Sequence, residues 1–334
     1  MQRRYSAVPS GGIGVQCHRW GVILAGGDGR RLLPLTRRIT GDDRPKQFSA
    51  ILGAETLLQQ TQRRVSRLVR RWQTLLVLTK THEQFYLDQV AELPSTSLVV
   101  QPQNQGTAPA ILYSLMRVRE MDPKGFVTFF PSDHHFSDDE SFRAHIDSAF
   151  AAAESRPDLV FLVGVTPESP EVEYGWIEPG SPLPSPVLNS VRRINRFWEK
   201  PSQALASILM ERGCLWNSFV MVGHVQAFLN LIRYALPQLL RSFEAIRTSL
   251  FSRAEKAELG GLYSRLRPAN FSQDVLAVGT PNLAVLRATG LGWSDLGEPD
   301  RVLSILQRKG MQTEWRIPSG KKEETDMSAK AATR

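Results

Sequence analysis

The sequence has little cysteine: two in 334 residues, Cys17 and Cys214, and neither sits in a CxxC pair. That excludes a disulfide framework and fits a reducing cytoplasm. No stretch approaches the roughly 18 consecutive apolar residues that a membrane-spanning helix needs. The first residues carry Arg3 and Arg4 but no apolar core, so a secretory leader is not expected. Three familiar motifs are also missing. There is no GxxxxGK[ST] phosphate loop, no third glycine where a dinucleotide fingerprint needs one (Leu32 stands there), and no DxD metal motif.

What is abundant is positive charge. The formal net charge is +8, and twelve Lys and Arg lie between Arg19 and Arg71 against four acidic residues. These cations are spread over a glycine loop, a turn and a helix candidate, without interleaved aromatics or a nucleic-acid module. The expected partner is therefore a phosphate-bearing small molecule, with no nucleic acid and no membrane.

Short apolar runs at Gly21–Ala25, Thr74–Thr79, Ser97–Val100, Phe126–Phe130 and Leu159–Gly164 alternate with amphipathic stretches at Thr56–Val69, His82–Val90, Ala108–Glu120 and Glu140–Ala153. This rhythm predicts an α/β fold with a mainly parallel sheet flanked by helices. In such sheets ligands bind beyond the carboxyl ends of the strands. After Gly164 the pattern gives strands at Tyr174–Glu178 and Val191–Glu199, separated by a proline-rich loop from Pro179 to Pro186. Helices follow at Gln203–Arg212 and Val225–Thr248, then a strand at Leu283–Thr289. A flexible arm is expected over residues 1–18 and a disordered tail over 319–334. Residues 19–310 are read as one large domain, with halves of about 19–164 and 165–310.

The first strand runs into Ala25-Gly26-Gly27-Asp28-Gly29-Arg30-Arg31-Leu32, then Pro34-Leu35-Thr36, and later Arg44-Pro45-Lys46-Gln47-Phe48. Glycines let backbone N–H groups approach phosphate oxygens, and the cations that follow neutralise them. A tight turn with exposed arginines would look similar. Asn104-Gln105-Gly106-Thr107-Ala108-Pro109-Ala110 reads as a turn into a helix, with Thr107 an acceptable N-cap. Pro131-Ser132-Asp133-His134-His135 places a carboxylate at a strand end, suited to Mg²⁺. The paired histidines invite zinc, yet no second cluster has ligand spacing, and a hydrogen-bonding role is expected. Gly292-Trp293-Ser294-Asp295-Leu296-Gly297 offers a second carboxylate, or simply the start of a helix near Glu298.

Together these segments resemble the signature of sugar nucleotidylyltransferases, whose first strand is followed by Gly-Gly-x-Gly-Thr-Arg-Leu-x-Pro-Leu and later Pro-Lys. The Pro-Lys-Gln-Phe and Thr-Ala-Pro-Ala stretches are similar to the mannose-1-phosphate guanylyltransferase branch. Three further pieces match in order. Glu173-Tyr174-Gly175-Trp176-Ile177 resembles Gly-Tyr-Gly-Tyr-Ile, Phe197-Trp198-Glu199-Lys200-Pro201 resembles Phe-x-Glu-Lys-Pro, and Trp216-Asn217-Ser218-Phe219 resembles Trp-Asn-Ser-Gly. Arg30, Phe219 and the longer stretch Arg37–Arg44 depart from the pattern.

The resemblance implies a Rossmann-like, GT-A type fold with a sugar-side lobe, and a reaction joining GTP to a hexose 1-phosphate with Mg²⁺ as cofactor. Arg31, Lys46, Asp133 and Asp295 would be catalytic, with Asp133 and Asp295 holding the metal. Ala25, Gly26, Gly27, Gly29, Arg30, Gln101 and Thr107 would bind the nucleotide, and Gly175, Glu199, Lys200 and Asn217 the sugar phosphate. Glucose 1-phosphate with UTP or dTTP is the alternative substrate pair. A catalytically silent sugar-nucleotide-binding regulator and a glycosyltransferase are the competing classes.

Overall fold

The structure is a computed structural model in which residues 18–183 and 190–311 are described. The expected arm and tail lie outside the described residues, apart from His18, whose Nδ1 is 3.0 Å from the Asp122 carboxylate. The first half runs β1 (Arg19–Leu24), α1 (Leu33–Thr40), α2 (Leu57–Val65), β2 (Thr74–Thr79), α3 (Glu83–Val90), β3 (Leu98–Gln101), α4 (Thr107–Met121), β4 (Phe126–Pro131), α5 (Asp139–Ser155) and β5 (Val160–Val165). The second half adds β6 (Gly175–Pro182), β7 (Val191–Glu199), α6 (Gln203–Glu211), β8 (Leu215–His224), α7 (Val225–Ala235), α8 (Pro237–Ala245), α9 (Glu255–Tyr263), β9 (Leu283–Ala288) and α10 (Pro299–Arg308).

Among the described residues the nine strands form one sheet in the order β3-β2-β1-β4-β8-β5-β9-β7-β6. β1 is parallel to β2 and β4, β2 to β3, and β5 to β9. β8 and β7 run against their neighbours. The fold is thus α/β, as the alternating rhythm implies, but the sheet is mixed and not mainly parallel: of the eight neighbouring pairs in this order four are antiparallel, each involving β8 or β7.

The two sheet faces can be read along each strand, because successive side chains point to opposite sides. Trp20 and Val22 of β1, Val127 and Phe129 of β4, and Val160 and Leu162 of β5 join one core with α4, α7, α8 and α9. Ile23, Phe130, Phe161 and Val163 join the other, with α2, α3, α5 and α6. A third, smaller cluster packs Leu32 and Leu35 of the glycine-loop region against Leu296, Val302 and Ile305. It fastens α10 onto α1.

Four further expectations need correction. β8, ten residues long and buried at most positions, was not expected as a strand. Sandwiched between β4 and β5 with both faces covered, it lacks the polar alternation that marks a half-exposed strand. The single helix expected over Val225–Thr248 is broken at Leu236, because Pro237 starts a new helix and disfavours the helical conformation in the residue before it. β6 continues through Pro179 to Pro182, where a loop was expected. It ends the sheet order and shifts register on both sides of Pro179, which lets a strand tolerate a missing N–H. Finally, Gly106, at φ 89°, is the N-cap of α4 in place of Thr107.

Gly106 also holds the α4 end to a distant segment. Ala108 donates its N–H to the Ala269 carbonyl (3.0 Å), and Ala269 donates to the Gln105 carbonyl (3.0 Å). A Cβ on Gly106 would overlap the Ala269 carbonyl oxygen and stand 3.0 Å from its carbon, both rigid backbone atoms. Gly106→Ala is therefore expected to destabilise the fold by about 2 to 3 kcal/mol, through positive φ and steric overlap together. Denaturant melting reads this; a midpoint equal to wild type would contradict it.

Candidate active site

A cavity of about 410 Å³ opens at the carboxyl ends of β1, β3 and β4, with the start of β6, the end of β7 and the middle of β8 as its other wall. Of the expected site residues, Gly26, Gly27, Arg31, Gln101, Thr107, Asp133, Gly175, Glu199, Lys200, Asn217 and Asp295 line it. Gly29, Arg30 and Lys46 line an adjoining cavity of about 370 Å³, which shares Arg31 and Asp133 with the first. Ala25 lines neither. It is 1% exposed, and its main-chain N–H and C=O are committed to Val77 and Gln47.

The glycine turn is held from behind. Gln47 donates its side-chain amide to the carbonyls of Ala25 (3.1 Å) and Gly27 (2.7 Å), and Thr79 donates its hydroxyl to the Gly26 carbonyl (2.9 Å). At Gly27 a Cβ would meet nothing within 4 Å, so the turn's backbone faces open space there. At Gly29, with φ 61°, it would lie 3.1 Å from the Lys46 backbone nitrogen, so the turn approaches the Pro45-Lys46 segment closely.

Lys46 joins the two carboxylate-bearing segments. Its side chain is buried, and Nζ lies 3.1 Å from Asp133 Oδ2 while donating to the carbonyls of Asp295 (2.6 Å) and Leu296 (3.2 Å). A short antiparallel bridge between His135 and Ser294 laces the same segments together. Asp133 and Asp295 are thus neighbours despite lying 162 positions apart (295 − 133).

The two carboxylates differ in setting. Asp295 Oδ1 accepts from Tyr174 Oη (3.1 Å), the Gly297 N–H (2.9 Å) and Arg301 (2.6 Å), whereas Oδ2 faces Arg31 at 3.8 Å. Burial pushes the Asp295 carboxyl up, but Lys46, Arg301 and the Gly297 N–H outweigh it and hold it below its ordinary value. Asp133 is more open, at 30% side-chain exposure. His134 accepts from Trp293 Nε1 (3.2 Å), a hydrogen-bonding role, and burial keeps its imidazole below the usual pKa.

The opposite wall carries Gly175, Glu199, Lys200 and Asn217. A Cβ on Gly175 would stand 2.8 Å from the Phe197 ring and 3.0 Å from Glu199 Oε2, so only glycine brings these groups together. Burial raises the Glu199 carboxyl, with Lys200 and Ser272 partly offsetting it. Asn217 Oδ1 accepts from the Phe219 N–H (3.1 Å). Of the four described non-glycine residues with positive φ, Lys200 and Phe219 line the cavity and Leu296 adjoins Asp295. Phe219, at φ 61°, stands where the resembled motif has glycine, and so bears a strain that glycine would not.

Among the described residues no three His, Cys, Asp or Glu side chains converge as a metal-binding group. Mg²⁺ commonly takes only one or two carboxylates and completes its shell with water and phosphate oxygens. Asp133 and Asp295, hard oxygen donors on one cavity wall, fit that demand.

The model of the nucleotidyl transferase family matches residues 20–309. The chain belongs to that family. This member of the family is 31% identical over 292 residues to a mannose-1-phosphate guanylyltransferase of Sinorhizobium fredii, covering 84% of this chain and 53% of the relative. It is 28% identical to the xanthan biosynthesis protein XanB of Xanthomonas campestris pv. campestris, covering 86% of this chain and 60% of the relative. A crystal structure described as a mannose-1-phosphate geranyltransferase from Thermus thermophilus superposes with a TM-score of 0.74 at 27% identity, covering 86% of this chain and 79% of that one. The chain thus spans roughly half to three fifths of these curated relatives' length. No helix among the described residues is long and apolar enough to cross a membrane.

The geometry adds residues that motif reading did not assign. Gln47 and Tyr174 lie inside quoted motifs, but their roles as staple and carboxylate anchor need the third dimension. Arg301, on α10, binds Asp295 and Glu171 (2.7 Å) from beyond the last motif. Asn270, which caps a π-helical turn at Phe271–Leu276, and Ser272 within it line the cavity and carried no sequence signal beyond ordinary polarity. Thr107 accepts from the Phe271 N–H (2.8 Å), which ties that turn to α4.

Proposed function

We propose that this nucleotidyl transferase joins GTP to mannose 1-phosphate, releasing pyrophosphate and forming GDP-mannose. One observation carries the reading: Lys46 Nζ gathers Asp133 and the Asp295 main chain at the cavity formed by the glycine turn and the Glu199-Lys200 wall. The relatives' names support the mannose and guanylyl assignments. On the same reading the sheet is of the Rossmann-like, GT-A type, with a nucleotide half of about 19–164 and a sugar half of about 165–310, working in a reducing cytoplasm.

In this reaction a sugar-phosphate oxygen attacks the α-phosphorus, and the bond to the β-phosphate breaks. The nucleophile is already an anion at neutral pH, so the chain need not supply a general base. Its task is to hold two mutually repelling anions in line. Gly26, Gly27 and Gly29 bring backbone N–H groups near the triphosphate, and Arg30, Arg31 and Lys46 supply cations where pyrophosphate departs. Gln101 and Thr107 face the base. Gly175, Glu199 and Asn217 meet the hexose hydroxyls, and Lys200 the sugar phosphate. Asp133 and Asp295 would hold Mg²⁺, which supplies charge neutralisation at the phosphates.

The test is pyrophosphate release by the purified chain with Mg²⁺ across a panel of nucleotides and sugar phosphates. GTP with mannose 1-phosphate should exceed UTP or dTTP with glucose 1-phosphate in kcat/KM. Release with no pair at all would favour the silent regulator. Gly27→Val is expected to fold within about 0.5 kcal/mol of wild type, since a Cβ there meets nothing within 4 Å. It should weaken GTP binding at least about tenfold by filling space the phosphates need. Unchanged GTP affinity would remove the glycine turn from the nucleotide site.

A further inference from the structure

Two of the cavity's cations are engaged by one side chain of the chain itself. Arg31 Nη1, from the loop after β1, and Lys200 Nζ, just past β7, each donate to the same oxygen, Glu173 Oε2, at 2.9 Å. Among the described residues Lys200 has no other ion pair, while Arg31 also faces Glu298 at 3.5 Å and Asp295 at 3.8 Å. Lys200, the largest cause, holds the Glu173 carboxyl below its ordinary value, with Arg31 and Arg301 adding to it. The backbone around Glu173 is fixed: Tyr174 anchors Asp295 through its hydroxyl and accepts the Lys200 N–H at its carbonyl (3.2 Å). The Glu173 side chain, by contrast, is long and about a third exposed. In the Gly-Tyr-Gly-Tyr-Ile motif that this segment resembles, its position is a glycine, with no side chain to offer.

A carboxylate and a phosphate present the same anionic oxygens to Arg and Lys. We propose that Glu173 is an internal competitor for the phosphate-binding cations: it bridges Arg31 and Lys200 and must swing out before phosphate groups take them. This rests on reading Arg31 and Lys200 as phosphate-binding residues. The bridge spans the triphosphate side and the sugar-phosphate side, so an anion that takes Arg31 leaves Glu173 held by Lys200 alone. The first substrate to bind thereby loosens the obstacle to the second, a coupling that must be reciprocal.

The test is the affinity of wild type, Glu173→Gln and Glu173→Gly for inorganic pyrophosphate, measured by titration calorimetry without nucleotide or sugar. Both variants should bind pyrophosphate about tenfold more tightly, because two half-exposed ion pairs no longer compete and more of the protein is binding-competent. A purely structural Glu173 predicts the opposite sign, since its loss would leave two unscreened cations to move apart. Equal or weaker binding by Glu173→Gly, with wild-type thermal melting, overturns the proposal. Weaker binding by Glu173→Gln does the same, because that variant keeps the side chain's shape. The outcome is separate from the proposed reaction: tighter binding stands even if no substrate pair turns over, and turnover with unchanged affinity removes the competitor alone.

Discussion

Asp133→Asn is expected to lower turnover of GTP and mannose 1-phosphate by about a thousandfold at a stability cost of about 1 to 2 kcal/mol, since buried Lys46 keeps a hydrogen-bond acceptor but loses its counter-charge. The substitution keeps the side chain's shape, and its amide oxygen can still accept from Lys46, 3.1 Å away in the wild type. What disappears is a full negative charge on the cavity wall, and with it a hard ligand for the divalent ion. Losing one preorganised electrostatic group at a reacting centre typically costs about 10²- to 10³-fold, and losing a metal ligand adds to that. Asp295→Asn is a less clean probe. Its Oδ1 takes three donors, and an amide that keeps its oxygen there turns its NH2 toward the Arg31 guanidinium, 3.8 Å from Oδ2 in the wild type, and removes the counter-charge beside Arg301. That variant should lose activity and also about 2 kcal/mol of stability. The measurements are pyrophosphate release against Mg²⁺ concentration and a denaturant melt for each protein. If Asp133→Asn kept activity within tenfold of wild type at unchanged Mg²⁺ demand, the two-carboxylate site would be wrong.

What the sequence made legible follows from how each feature is encoded. The strands of the parallel half were plain because they are buried on both faces and separated by amphipathic helices, and β2 and β7 match their expected bounds. The same double burial hid β8. Between two helices its apolar run gave no period by which to tell strand from core helix. The site was legible where chemistry demands particular residues at particular spacing: glycines before cations, and carboxylates after strands. Eleven of the expected residues line one cavity. Ala25 was drawn in by lying next to Gly26, but its backbone groups belong to the sheet and to Gln47. Arg301 and Ser272 were invisible for a different reason. Their roles come from tertiary contacts that no local pattern records, Arg301 reaching Asp295 from α10 and Ser272 reaching the Glu199 wall from a π-helical turn.

Lys46→Met should be the most damaging single change to the site, affecting fold and chemistry together. The methionine would fill the aliphatic channel, but three partners of Nζ would lose their donor: Asp133 Oδ2 and the carbonyls of Asp295 and Leu296. Asp133 can recover part of its hydration, whereas the carbonyls lie in a region where Asp295 is 8% exposed and Leu296 fully buried. Removing one partner of a buried charged pair costs about 3 kcal/mol or more, which for a chain of this size lowers Tm by roughly 4 to 5 °C. Leu296, at φ 49°, is already in the left-handed region, so its loop has little freedom to adapt. Lys46→Arg should fall between the two, because a planar guanidinium keeps the charge but cannot reproduce a compact ammonium's three contacts. The two roles separate by temperature. Well below the lowered Tm a merely structural Lys46 would leave kcat intact once the variant is folded, while a phosphate-contacting Lys46 would leave it depressed by at least about a hundredfold. Melting at the wild-type temperature with normal kcat would show that the strap between Asp133 and Asp295 does not organise the site.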